Sequence, residues 1–146
     1  MAHDFKAFPE LSNAQMTEFY FESPHKQIVD NFNAKVEKVH DGDTVTISCN
    51  FRDFNFPVRI QNLAAPELNE GGRESQKWLE NRILGLEVEV ILTKERVEKW
   101  GRLLADIMHQ GELMSEAVVR SGNGVSWKDR DQNQVFGNFE KELIFL

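Results

Sequence analysis

The strongest constraint in this sequence is a strict two-residue alternation that begins near Ala34. Val45, Ile47, Cys49 and Phe51 alternate with Thr44, Thr46, Ser48 and Asn50. Phe56, Val58 and Ile60 continue the pattern from Phe54, broken only by Pro57, and Leu86, Val88 and Val90 alternate with Glu87 and Glu89. Successive side chains of a strand point to opposite faces, so each set is a strand with one apolar face and one wet face. Arg52-Asp53 between the first two sets is short enough for a hairpin. Cys49 falls on the apolar face and reads as a small core residue.

Two helical patterns interrupt the strands. One runs over about 73–84, carrying Trp78, Leu79 and Ile83 inward, with Gly85 placed to end it. The other covers about 112–120, where Leu113/Ala117 and Met114/Val118 are spaced four apart and Gly122 follows. A weaker helical spacing recurs at Val135, Phe136, Phe139 and Leu143, interrupted by Gly137. Short strands with helices inserted late predict an α+β domain closed as a small barrel. The chain's 146 residues are enough for one such domain without disulfides or metal.

The first 32 residues read differently and are expected to form an extension (1–32) ahead of the main domain (33–146). Ser12 and Gln15 fit a capping box, and Met16, Phe19 and Tyr20 follow at helical spacing until Pro24. The phenylalanines of this stretch are read as packing rather than a ligand cage, and the extension is also the place where a protein partner would bind. A single cysteine excludes an internal disulfide and a cysteine-based zinc site. No apolar run approaches the ~20 residues of a membrane-spanning helix, so no membrane association is expected. Met1–Lys6 opens no signal peptide, so a cytoplasmic location is expected unless a leader has been removed. The net charge of −7 opposes a polyanion, and composition alone argues against nucleic acid except through a local basic patch.

Three polar clusters sit at expected strand ends. Asp41-Gly42-Asp43-Thr44 is a tight turn in which Gly42 permits the bend, and its two carboxylates either decorate the turn or attract a hard cation. Arg59 leaves the sheet opposite Phe56 and Ile60, with Pro66-Glu67 soon after. That pair either holds an anion beside a base or forms a surface ion pair, and its charges point outward, so removing them should cost little stability. Lys99-Trp100-Gly101-Arg102 precedes an apolar strand; Gly101 turns the backbone sharply, and Trp100 either stacks on a base or covers core.

Taken in order, the strings Lys38–Val45, Val58-Arg59-Ile60, Ala64-Ala65-Pro66-Glu67, Leu86–Val90, Trp100-Gly101-Arg102 and Leu113–Gly122 resemble the staphylococcal nuclease (thermonuclease) family over about 34–125. The resemblance implies a five-stranded OB-fold barrel with about three helices and hydrolysis of phosphodiester bonds in DNA or RNA. It implies Asp43 as the metal carboxylate, with Asp41 beside it, and Arg59 and Arg102 as the phosphate arginines. Glu67 is implied as the group that activates or orients water. Lys99, by its charge, and Trp100, by its stacking face, are the candidate substrate contacts beside Arg102. The implied cofactor is a divalent cation, Ca²⁺ in the family, with Mg²⁺ or Mn²⁺ as substitutes. Planar arginine forks and a cation suit the negative charge that phosphoryl transfer gathers. Two positions depart from the pattern. Ala64 stands where the family carries a calcium-ligating aspartate, and Trp100 where it usually carries tyrosine. The expected function is therefore a metal-dependent nuclease with an altered cation site. The alternative is a catalytically impaired OB-fold module that binds nucleic acid or a protein partner.

Overall fold

A computed structural model describes residues 10–11, 27–66, 71–98 and 101–127. The strands are β1 (Phe32–Asp41), β2 (Thr44–Ser48), β3 (Phe56–Ile60), β4 (Leu63–Ala64), β5 (Glu87–Val97), β6 (Leu103–His109), β7 (Glu112–Leu113) and β8 (Val125–Ser126). Helix α1 (Arg73–Ile83) precedes β5, and α2 (Met114–Arg120) follows β7. The main sheet runs β3-β2-β1-β5-β6-β7, and a parallel pairing of β3 with β6 joins its ends. Five strands, β1, β2, β3, β5 and β6, thereby close into a mixed barrel. The class is α+β, as the alternation and the two helical patterns predict.

Closure needs a strand that bends. β1 supplies it, pairing with β5 through Phe32–Lys35 and with β2 through Lys35–Asp41, with register shifts at Val36/Lys38 and Val39/Asp41. Such bulges raise local twist and let one strand serve two walls. Pro57 is tolerated inside β3 because the β3–β6 ladder begins only at Val58, so no neighbour there needs its missing N–H. The inward alternation fills the barrel with Val36, Val45, Ile47, Phe56, Val58, Ile60, Val90, Leu103 and Ile107, all fully buried. Leu79 and Ile83 of α1 plug one side with Trp78 packed beside them, and Gly85 follows at φ 77°.

Several expectations are corrected. β2 ends at Ser48, and residues 49–55 link it to β3 in place of a two-residue turn at Arg52-Asp53. Phe51 is 53% exposed because that link turns it out, while Arg52 turns in, lying 4.5 Å from the centre of the Phe56 ring and 5.3 Å from that of Phe54. Cys49 does pack against the core from a half-buried position. The second helix starts at Met114, not near Glu112, because Glu112 and Leu113 pair back onto His109 and Met108 across the Gln110-Gly111 turn. Both turn residues have positive φ, 51° and 79°, the geometry of a tight hairpin. The start of α2 is then fixed by buried Asp106 of β6, whose carboxylate accepts the Ser115 N–H at 3.2 Å and the Ser115 hydroxyl. The helical spacings expected near Ser12–Tyr20 and Val135–Leu143 lie outside the described residues, and no described helix is long and apolar enough to cross a membrane.

Candidate active site

The β2–β3 pairing sets Thr44 level with Arg59, so the Asp41–Thr44 turn lies beside the end of β3. The main chain reinforces this, with the Ile60 N–H donating to the Asp43 carbonyl at 2.8 Å. The Asp43 carboxylate sits 3.4 Å from Arg59 Nη2, and the two side chains are only 15% and 14% exposed. Asp43 Oδ2 accepts the Ala65 N–H at 3.0 Å, and Oδ1 accepts the Thr44 hydroxyl at 3.1 Å. Asp41 Oδ1 in turn accepts the Asp43 N–H at 3.0 Å, which folds the acidic turn on itself. Two residues far apart in sequence thus meet, as their strand-end positions suggest.

Arg59 is not the outward-pointing charge that the alternation predicts. It leaves the sheet on the wet face but curls along it, donating to the carbonyls of Ile60 and Leu63, the latter at 2.6 Å. Trp127 covers it, with the guanidinium 5.6 Å from the ring centre. The tryptophan reaches this place because β8 pairs with β4 and the Trp127 N–H donates to the Asn62 carbonyl at 3.2 Å. A two-residue strand carries no periodicity, so nothing in the sequence marks Trp127 as a neighbour of Arg59.

Gly42 is required for space rather than for the bend. Its φ is not positive, whereas a Cβ there would stand 1.9 Å from Ser75 Oγ of α1 and 2.9 Å from the Ala65 methyl. The turn, the chain after β4 and the start of α1 are therefore in contact. Ser75 is buried and donates its hydroxyl to the Asn123 carbonyl at 2.6 Å, drawing the loop after α2 into the same cluster.

Arg102 stands one residue before β6. Because Leu104 is level with Arg59, Arg102 lies one strand over and two residues back on the same outer face, about 8 Å away by strand geometry. Its Nε and Nη2 donate to Glu98 at 3.1 and 3.3 Å, and its backbone N–H donates to the same carboxylate at 2.9 Å. His40 lies close enough to feel it. The ring accepts or donates a hydrogen bond with Thr46 Oγ1 at 2.7 Å, and its pKa is lowered, first by burial and then by Lys38 and Arg102. His40 is thus a neighbour of the arginine whose charged form burial disfavours, and Lys38 extends the positive flank. Neither was marked by its spacing. Glu67, Lys99 and Trp100 lie outside the described residues.

The electrostatics single out Asp43. Its pKa is pushed up to about 6, first by burial and next by its hydrogen bond to Asp41, with Arg59 pulling the other way. A carboxyl in that state gains or loses its proton near that pH. Ca²⁺ takes six to eight oxygen ligands, whereas Mg²⁺ keeps several waters and accepts one or two carboxylates. Asp41 and Asp43 suit the second pattern. Ala64 adds only a methyl group, and among the described residues no three His, Cys, Asp or Glu side chains gather to hold a metal. No family model and no curated protein matches this chain.

Proposed function

We propose that this chain is a staphylococcal nuclease-like hydrolase on an OB-fold barrel, cleaving phosphodiester bonds of DNA or RNA with a divalent cation at a reduced acidic site. The observation that carries the reading is the meeting of Asp43, Asp41 and Arg59 at one strand end, with Arg102 on the same face. Such a face offers what a phosphodiester needs: cationic forks for its oxygens beside carboxylates that hold a proton or a cation.

In this reading Arg102 and the remaining N–H groups of Arg59 bind two phosphate oxygens and neutralise charge as it builds. Glu67, assigned by the resemblance, takes a proton from water as its oxygen forms a bond to phosphorus. The ester P–O bond breaks and its oxygen takes a proton from solvent. Asp41 and Asp43 would hold the cation, which when bound adds charge neutralisation at phosphate oxygens. Trp127, 48% exposed beside Arg59, presents a face on which a base can stack.

A second reading, a nucleic-acid or protein-binding module with impaired catalysis, is favoured by one specific feature. Ala64 withholds a carboxylate while Arg59 and Arg102 are engaged by their own chain. Incubating the protein with labelled single-stranded DNA in Ca²⁺, Mg²⁺, Mn²⁺ or chelator separates the two. The nuclease reading expects cleavage in Mg²⁺ or Mn²⁺, weaker cleavage in Ca²⁺ and none in chelator. Binding without cleavage under all four conditions selects the module.

A further inference from the structure

Away from the candidate site, a buried set of charged contacts gathers around Glu10 and Leu11. Glu10 and Leu11 lie against the barrel end made by the β2–β3 link and the β5–β6 turn. The Glu10 carboxylate is 1% exposed and faces the Arg52 guanidinium, itself 3% exposed, through both oxygens. Arg96, buried and held at φ 68°, donates to the Leu11 carbonyl at 2.9 Å and to the Ile28 carbonyl at 2.8 Å. Glu10 also acts on Arg96 through space, opposing the fall in pKa that burial imposes on it. The Leu11 N–H donates to Gln27 Oε1 at 2.8 Å.

Burying one carboxylate with two guanidiniums is costly unless the groups satisfy one another. Here the Glu10 carboxylate is met by Arg52 and the Arg96 guanidinium by the Leu11 and Ile28 carbonyls, and these charged bonds form a strap that ties Glu10 and Leu11 to the barrel. The strap touches one functional element. The Glu10 N–H donates to the Gly101 carbonyl at 2.8 Å, in the turn closed by Gly101 N–H to Glu98 carbonyl and Glu98 N–H to Arg102 carbonyl, each at 2.9 Å. Gly101 has φ 85°, a conformation that glycine, lacking a Cβ, adopts without strain. Holding its carbonyl fixes the peptide plane shared with Arg102, and therefore the origin and direction of that side chain.

We infer that Glu10 is a positioning residue for Arg102: locked by Arg52, with its neighbour Leu11 held by Arg96, it holds the Gly101–Arg102 peptide so that the arginine meets a substrate phosphate. This deepens the proposed function and rests on its assignment of Arg102 to phosphate binding.

The test is a double-mutant cycle on the full chain, reading affinity for a labelled single-stranded oligonucleotide in chelator. Glu10→Gln and Arg102→Ala should each weaken binding about tenfold, the worth of one charge-assisted hydrogen bond. The double variant should bind no worse than Arg102→Ala alone. A loss near a hundredfold, the product of independent effects, overturns the inference, as does wild-type affinity in Glu10→Gln. If Glu10→Gln does not fold, Glu10→Asp keeps a charge facing Arg52 and takes its place in the cycle. Should the wild type not bind the oligonucleotide, the nuclease reading fails first, and amide hydrogen exchange reads the positioning alone. Exchange at 101–102 should quicken about tenfold in the Glu10 variant while β1 and β2 amides hold their rates. Unchanged exchange at 101–102 overturns it.

Discussion

Arg59→Met removes the guanidinium at the centre of the site while leaving a chain of similar length to cover the sheet. The lost contacts are two hydrogen bonds from a charged donor to the Ile60 and Leu63 carbonyls, the 3.4 Å approach to Asp43 and the stacking under Trp127. A hydrogen bond involving a charged group contributes about 1.5–3 kcal/mol, and a cation over an aromatic ring about 0.5–1 kcal/mol at a partly open site. Asp43 offsets part of this, because without Arg59, which lowers its pKa, its carboxyl takes up a proton more readily and leaves no unpaired charge. Water reaches the partly open site and recovers more. The net cost is then about 2–4 kcal/mol. Urea unfolding of wild type and variant measures it, with equal slopes confirming that the same surface is exposed. Arg102→Ala is the control. That side chain is 32% exposed and pairs with Glu98 across one turn, so its loss should cost about 0.3–1 kcal/mol. If Arg59→Met costs no more than Arg102→Ala, the bonds from Arg59 to its own strand end do not hold the site together, and that reasoning is refuted.

Other perturbations probe the neighbouring contacts. Gly42→Ala should destabilise by about 1–3 kcal/mol through overlap with Ser75 and Ala65, whereas a loss below about 0.5 kcal/mol in urea would show that the turn and α1 separate freely. Ala64→Asp should let Ca²⁺ raise the melting temperature more than it does in the wild type, since added carboxylate strengthens this ion's binding and a ligand of the native state shifts unfolding. Equal calcium shifts in both proteins would place the ion elsewhere. Asp43 has its pKa raised to about 6 from 3.8, so the folded chain holds the proton more tightly than the unfolded one. The stabilisation from that proton is complete below the unfolded value and is lost as pH rises to about 6, so Asp43→Asn should gain stability relative to wild type across that window. A difference between the two that stays constant with pH, in urea melts at about pH 4, 5 and 6.5, would contradict the assignment.

The long strands were legible because a half-buried strand has a period that its own residues display. Val45/Ile47, Phe56/Val58/Ile60 and Val88/Val90 all point inward as the alternation predicts. Phe51 breaks the rule because the pairing stops at Ser48, and where a strand ends depends on what its partner does. Likewise, Glu112 and Leu113 fit a helical spacing yet join β7, because the Gln110-Gly111 turn returns them to β6. At the site, the sequence put Arg59 on the correct face and placed two carboxylates near it. It was silent on where the guanidinium goes, because the Leu63 carbonyl and Trp127 come from other segments. Gly42 stands out in the sequence as a turn residue, but the crowding by Ser75 that demands glycine there is tertiary and leaves no local signal. The strap at Glu10 and Leu11 was equally invisible, as its partners lie 42 residues away at Arg52 and 85 away at Arg96.

The most direct test of phosphodiester hydrolysis compares wild type, Glu67→Gln and Arg102→Ala, purified identically, in a single-turnover cleavage assay on single-stranded DNA with Mg²⁺ or Mn²⁺. Removing one group that acts in the transition state raises the barrier by about 3–4 kcal/mol, so each variant should cleave about a hundred- to a thousandfold more slowly while melting within a few degrees of the wild type. Equal rates in all three would assign the cleavage to a contaminant and contradict the account, and so would a wild type that leaves the DNA intact in every cation.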